Sequence, residues 1–240
     1  MFIFYARFVL LLGSVCFAHA TAASHLESPS LARQEQSLPC AQQGVRGFIQ
    51  VQDASNRGSG PLGLVAQAFT DGGLLTITVD NECDHIYKEP MQVMLHHHCD
   101  SNKPFTVETL NSLDTTVRDV GAVVGFDSTN NFGTRSWRGA NYAWIAQTGF
   151  VPRGPAQSVV NTYINHVRSD AEGTIWTLQD GPGGPLLVPS WVNTDGSIAP
   201  RVTLAYIPRT GALAITDDVQ GFAWKMGDVQ VVKFKFLPLE

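Results

Sequence analysis

The chain is short of charge, short of cysteine and without a long apolar run. Only 15% of its 240 residues are charged, against about a quarter in ordinary globular proteins. Lys and Arg come no closer together than pairs such as Lys233 and Lys235, and the net charge is −5. That pattern excludes a basic nucleic-acid footprint and a polybasic membrane patch. No stretch reaches the roughly 20 apolar residues that a helical bilayer crossing needs, so no membrane span is expected. There is no Asn-x-Ser/Thr sequon, so N-glycosylation is not expected. Gly-x-Ser-x-Gly, His-Glu-x-x-His, Cys-x-x-Cys and the phosphate-binding loop are also missing, although a Ser-His-Asp triad can still assemble from scattered residues. Gly58, Gly60 and Gly63 mimic a dinucleotide fingerprint, but Pro61 and the apolar run behind it make this a turn into a strand.

The N-terminus has a recognisable grammar. Arg7 precedes the apolar run Phe8 to Phe17, and Ala18-His19-Ala20 supplies small residues at a cleavage point. Residues 1–20 therefore read as a secretory signal peptide, which predicts a secreted, extracellular product. Residues 21–45, rich in Ser, Glu, Gln, Pro and Ala, bury little surface and read as a flexible leader. Residues 46–240 have the length of one domain. Export leaves Cys40, Cys83 and Cys99, an odd number. Cys83 with Cys99 is one possible disulfide, and Cys40 with either is another. Closing the short Cys83–Cys99 loop would add about 3 kcal/mol.

The remainder is a succession of short β-prone runs between turn signals. Gly47 to Gln52, Leu62 to Phe69, and Leu74 to Val79 come first, the last two joined by Thr70-Asp71-Gly72-Gly73 as a hairpin. Met91 to Leu95, Phe105 to Leu110, Val120 to Phe126 and Asn141 to Ala146 follow; the Val120 run is apolar enough to read as buried. Val159 to Val167 has both helical spacing and β-branched content, so one short helix is an open option there. Leu186 to Val192 can pair with Val202 to Ile207 across Asn193–Gly196, and the latter run turns at Pro208–Gly211 into Ala212 to Thr216. Val229 to Phe236 points Val232, Phe234 and Phe236 inward and Lys233 and Lys235 outward, the pattern of a guarded edge strand. The fold class that fits is all-β, a single-domain antiparallel β-sandwich, with a β-barrel as the alternative.

Two groups of residues carry chemistry. His96 and His98 share a strand face, and His85 comes near if Cys83 and Cys99 are joined. These three imidazoles could hold a divalent transition metal, although no defined zinc spacing is present and a polar loop beside a disulfide explains them as well. The second group is Trp137, Arg138 and Asn141 with Trp191, Asn193 and Asp195. Aromatic faces beside amides and carboxylates can bind a sugar; alternatively Trp144, Trp176 and Trp191 are core residues. Asp127, Asp180, Asp195, Asp217 and Asp218 sit at turn-like positions, where Asp serves the backbone.

The segments Gly47-Phe48-Ile49-Gln50-Val51, Gly121-Ala122-Val123-Val124-Gly125-Phe126-Asp127-Ser128, Asn141-Tyr142-Ala143-Trp144, Thr174-Ile175-Trp176 and Trp191-Val192-Asn193-Thr194-Asp195-Gly196-Ser197, in that order, resemble a family of small secreted β-rich proteins of mushroom-forming fungi. The resemblance spans residues 46 to 238 and implies secretion and a fungal extracellular role. It carries no activity and no catalytic residues, and the histidine run and Cys83–Cys99 region depart from it. The expected function is a non-catalytic module acting at an extracellular glycan or cell wall. The alternatives are a secreted metal-dependent enzyme using His96 and His98, and a secreted effector or toxin acting on another organism.

Overall fold

The computed structural model describes residues 44–55, 60–78, 89–97, 103–134 and 139–240. These lie within one compact unit, Glu35–Glu240. The signal-peptide and most of the leader expectations, and those on Trp137, Arg138, His85, His98, Cys83 and Cys99, fall outside the described residues.

Fourteen strands and one helix are present among them. In chain order they are β1 (Val45–Asp53), β2 (Pro61–Phe69), β3 (Leu75–Ile77), β4 (Gln92–Leu95), β5 (Val107–Thr109), β6 (Asp119–Val124), β7 (Tyr142–Thr148), β8 (Gln157–Val159), β9 (Ser169–Glu172), β10 (Trp176–Gly181), β11 (Gly184–Pro189), β12 (Thr203–Ile207), β13 (Ala212–Thr216), α1 (Val219–Met226) and β14 (Gln230–Pro238). Eight strands close a ring in the order β1-β4-β5-β6-β7-β13-β12-β14, and β14 pairs back onto β1 from Gly47↔Pro238 to Asp53↔Val232. The ladders are antiparallel. The all-β expectation therefore holds, and of the two arrangements weighed the barrel is the one formed. Closure removes the two open edges a single sheet would leave. The hairpins β2–β3, β8–β9 and β10–β11 attach to β1, β6 and β14 respectively.

Period-two alternation builds the interior. Ile49 and Val51 from β1, Val93 and Leu95 from β4, Ala143 and Ile145 from β7, and Val232, Phe234 and Phe236 from β14 are all buried in one cluster. Trp176 stacks on Phe234 at 5.7 Å and donates its indole N–H to the Val120 carbonyl at 2.6 Å. β7 is buried on both faces. Outside the barrel, Tyr142 and Trp144 are covered by Phe222 of α1, with ring centroids 5.1 and 6.1 Å away.

Four local readings give way. Val159 to Val167 is neither helix nor one strand; Ile164, Asn165 and His166 form a left-handed turn at φ 51°, 54° and 63°. It is held where the Thr162 hydroxyl meets the Gly73 carbonyl at 2.6 Å and His166 meets Asp114 at 3.1 Å. The helix lies instead at α1, started by Asp218, whose carboxylate accepts from the Gly221 N–H at 3.0 Å. β11 pairs with β10 and β14, not with β12, and across the Asn193–Gly196 turn there is a single isolated bridge, Val192 with Ile198. β14 is no edge: β1 lies on one side and β11 and β12 on the other, so Lys233 and Lys235 line the outside of a closed wall. Phe126, expected at the end of a buried strand, falls beyond β6, which stops at Val124.

Candidate functional site

One end of the barrel carries a loop, Gly125–Thr134, between β6 and β7. Three sequence-expected binding residues converge on it, Asn141, Trp191 and Asn193, while Asp195 lies on the adjoining turn. Asn141 uses its whole amide. Its oxygen accepts from the Thr129 N–H and hydroxyl at 3.1 and 3.0 Å, and its nitrogen donates to the Asn131 and Thr134 carbonyls at 2.8 and 3.1 Å. Trp191 is fully buried, stacks on Phe132 at 4.8 Å, and donates its indole N–H to the Asn130 carbonyl at 2.8 Å. Asn193 brackets Phe132, accepting from its N–H at 2.8 Å and donating to its carbonyl at 3.1 Å. The Thr194 N–H and hydroxyl both donate to Asn131 Oδ1 at 2.8 Å. Asp195 holds the next turn through the Ser197 N–H and hydroxyl, which lower its pKa. Asp217 accepts from the Gly133 N–H at 2.6 Å, while burial raises its pKa. In the described structure these polar groups serve the loop: they fix its backbone.

What the fixed loop displays is Phe126. Sequence reading places it at the end of a buried strand, yet β6 stops at Val124 and Phe126 is 84% exposed. Gly125 makes the turn against the Tyr142 ring, where a Cβ would lie 2.0 Å from a ring carbon. On α1, Trp224 is 87% exposed. The two segments are tied by Asp127 and Lys225 at 3.3 Å, and the Lys225 ammonium lies 4.9 Å from the Tyr142 ring centre. Burial and the neighbouring Tyr163 push the Tyr142 phenol up to about 12, so it stays neutral. Asn130 donates to Asp170 of β9 at 2.8 Å on the same loop. Two large aromatics in water, on segments that the Asp127–Lys225 pair joins, form a candidate binding platform. Glycine before Phe126 and Asp-Ser after it were the turn signals that mark its exposure. Trp224 follows an Asp218 N-cap, the start signal of a short helix.

A second cluster lies where β4 ends, on β5, and where β6 begins. His96 Nε2 is 2.8 Å from Glu108 Oε2, and Arg118 is 3.8 Å from the other carboxylate oxygen. Glu108 sits directly opposite Asp119. Burial, and then the Glu108 charge, raise Asp119 to about 6, with His96 pulling the other way. Among the described residues no three His, Cys, Asp or Glu converge as a metal centre. His97 lies beside Phe105, with ring centroids 6.1 Å apart. No helix among the described residues is long and apolar enough to cross a membrane.

No known family matches this chain, and no curated protein sequence and no solved structure does so either.

Proposed function

We propose that this is a secreted, non-catalytic protein that binds neutral polysaccharide at an extracellular or cell-wall surface through Phe126 and Trp224. The observation that carries the reading is the pair of aromatics, 84% and 87% exposed, on segments joined by the Asp127–Lys225 ion pair. Leaving two such side chains in water forgoes about 1.5–3 kcal/mol each in burial. A sugar ring offers axial C–H groups to an aromatic face and hydroxyls to flanking amides and carboxylates. The low charge fraction suits a neutral ligand better than a charged one. Co-sedimentation with insoluble chitin and glucan, with a glycan array beside it, tests this. Trp224→Ala is expected to weaken binding at least about fivefold with the fold intact, since the indole contributes little to the core. Equal binding by Trp224→Ala and wild type, or an empty array, would sink the proposal.

A second reading has one observation in its favour. Glu108 engages Nε2 of His96, which leaves Nδ1 as the ligating atom, the arrangement by which carboxylates orient metal-bound imidazoles. In that reading His96, with His85 and His98, holds a divalent transition metal. Metal analysis of the purified protein, before and after incubation with zinc or copper, is expected to show one bound ion that is lost in His96→Ala; none bound in either case refutes it.

A further inference from the structure

Glu172 ends β9 and is only 2% exposed. Its strand partner is Ala122, a residue of the main core cluster, so its side chain points to the apolar side. Both carboxyl oxygens lie on one donor, the Val192 N–H, at 3.0 and 3.1 Å. A buried carboxylate needs two or three donors to be comfortable as an anion. Here one is shared, and burial raises the group to about 8, opposed by the Val192 hydrogen bond and by Arg153.

Val192 sits at the centre of the grip on the platform loop. Trp191 before it and Asn193 and Thr194 after it make five hydrogen bonds to residues 130–132. That loop displays Phe126 and anchors Asp127 to the helix that displays Trp224. The charged groups on the elements around Glu172 are Arg153 from the segment after β7, Asp170 on its own strand, Asp195 on the turn, and Asp119 at the far end of β6. At its own level β6 presents Gly121 and Ala122, β7 Thr148 and β8 Gln157, none of them charged. Arg153 is exposed, so an ionised Glu172 gains little from it. The anion is better served by water, and lifting the Val192 turn would let water reach it.

We propose that Glu172 is a proton-operated latch: while its buried carboxyl is neutral the Trp191–Thr194 turn stays seated on residues 130–132, and the cost of burying the ionised group, which outweighs its hydrogen bond from Val192, frees that turn and loosens the loop behind the aromatic platform. The consequence for sugar binding rests on the proposed function above; the latch itself does not.

Hydrogen exchange of the full-length protein, corrected for intrinsic rates and compared at about pH 6 and about pH 9, separates the two. Protection of amides 130–134 and 191–194 is expected to fall more than about tenfold in wild type and to stay level in Glu172→Gln, with β12 and β13 unchanged in both. No fall in wild type, or the same fall in Glu172→Gln, overturns the latch. Should Glu172→Gln not fold, the Trp191 indole proton of wild type, bonded to the Asn130 carbonyl, decides it by NMR: a shift and broadening across this range supports the latch, and an unmoved signal refutes it. Chitin and glucan co-sedimentation at the same two pH values is run in parallel. Absence of binding at both defeats the platform, while the exchange data still decide the latch.

Discussion

Replacing Glu172 by Gln should change how the stability of the protein depends on pH, and the size of the change follows from where the carboxyl is buried. The folded state raises this group from the ordinary 4.5 to about 8. Below the lower value both states are protonated and the group costs nothing. Between the two, the unfolded chain ionises and the folded one does not, so stability falls as pH rises, by about 1.4 kcal/mol per pH unit. Above the folded value the loss levels off. Over the whole window the loss reaches about 5 kcal/mol if the turn never opens, and stops at the free energy of local opening if it does. The amide of Glu172→Gln can still accept from the Val192 N–H but cannot ionise. Urea unfolding across the window, followed by fluorescence and far-UV circular dichroism, is expected to give a curve that declines for wild type and is flatter by several kcal/mol for the variant. The variant should be the less stable form at acid pH and the more stable one at alkaline pH. Parallel curves would show that Glu172 ionises freely in the folded protein, and would refute the burial argument.

Phe132→Ala should cost about 3–5 kcal/mol, because the ring is fully buried and stacked on Trp191; a loss under about 1 kcal/mol in guanidinium unfolding would mean that the loop is not part of the core. Gly73→Ala meets a backbone at φ 75° and would set its Cβ 1.7 Å from the Thr162 carbonyl oxygen. It is expected to lower stability by at least about 2 kcal/mol, and an unchanged melting temperature would refute the close approach. Asp119→Asn removes a carboxyl held at about 6 opposite Glu108. Stability should therefore rise relative to wild type at neutral pH and not at strongly acid pH, where both groups are protonated; a pH-independent difference in unfolding free energy contradicts this.

Much of the barrel was legible because alternation is a property of the strand itself. Ile49 and Val51, or Val232, Phe234 and Phe236, face inward whatever their strands pair with. Pairing partners were less legible. Lys233 and Lys235 look alike on an exposed edge and on the outside of a closed wall, and only the β14–β1 ladder distinguishes the two. The left-handed turn at Ile164–His166 was hidden because β-branched and bulky residues rarely adopt it. The surface site divided in the same way. Asn141, Trp191 and Asn193 stand out in the sequence as a group, but hydrogen-bonding side chains look the same there whether they serve a ligand or a loop. The apolar neighbours of Phe126 read as core and outweigh Gly125, although the backbone turn that Gly125 makes against Tyr142 is what carries the chain out of the strand. Glu172 has no sequence signal: its burial comes from the Ala122 and Val192 contacts, which are distant along the chain.

The ladder between β1 and β14 brings residue 47 against residue 238. The ring therefore cannot close before β14 has been made. Contacts of such long sequence separation form slowly, so the unclosed β1, with half of its hydrogen-bonding groups waiting for β14, is the stretch most exposed to wrong partners during synthesis. Clipping a few residues from β14 would be felt at β1, far back along the chain, as a reopened seam.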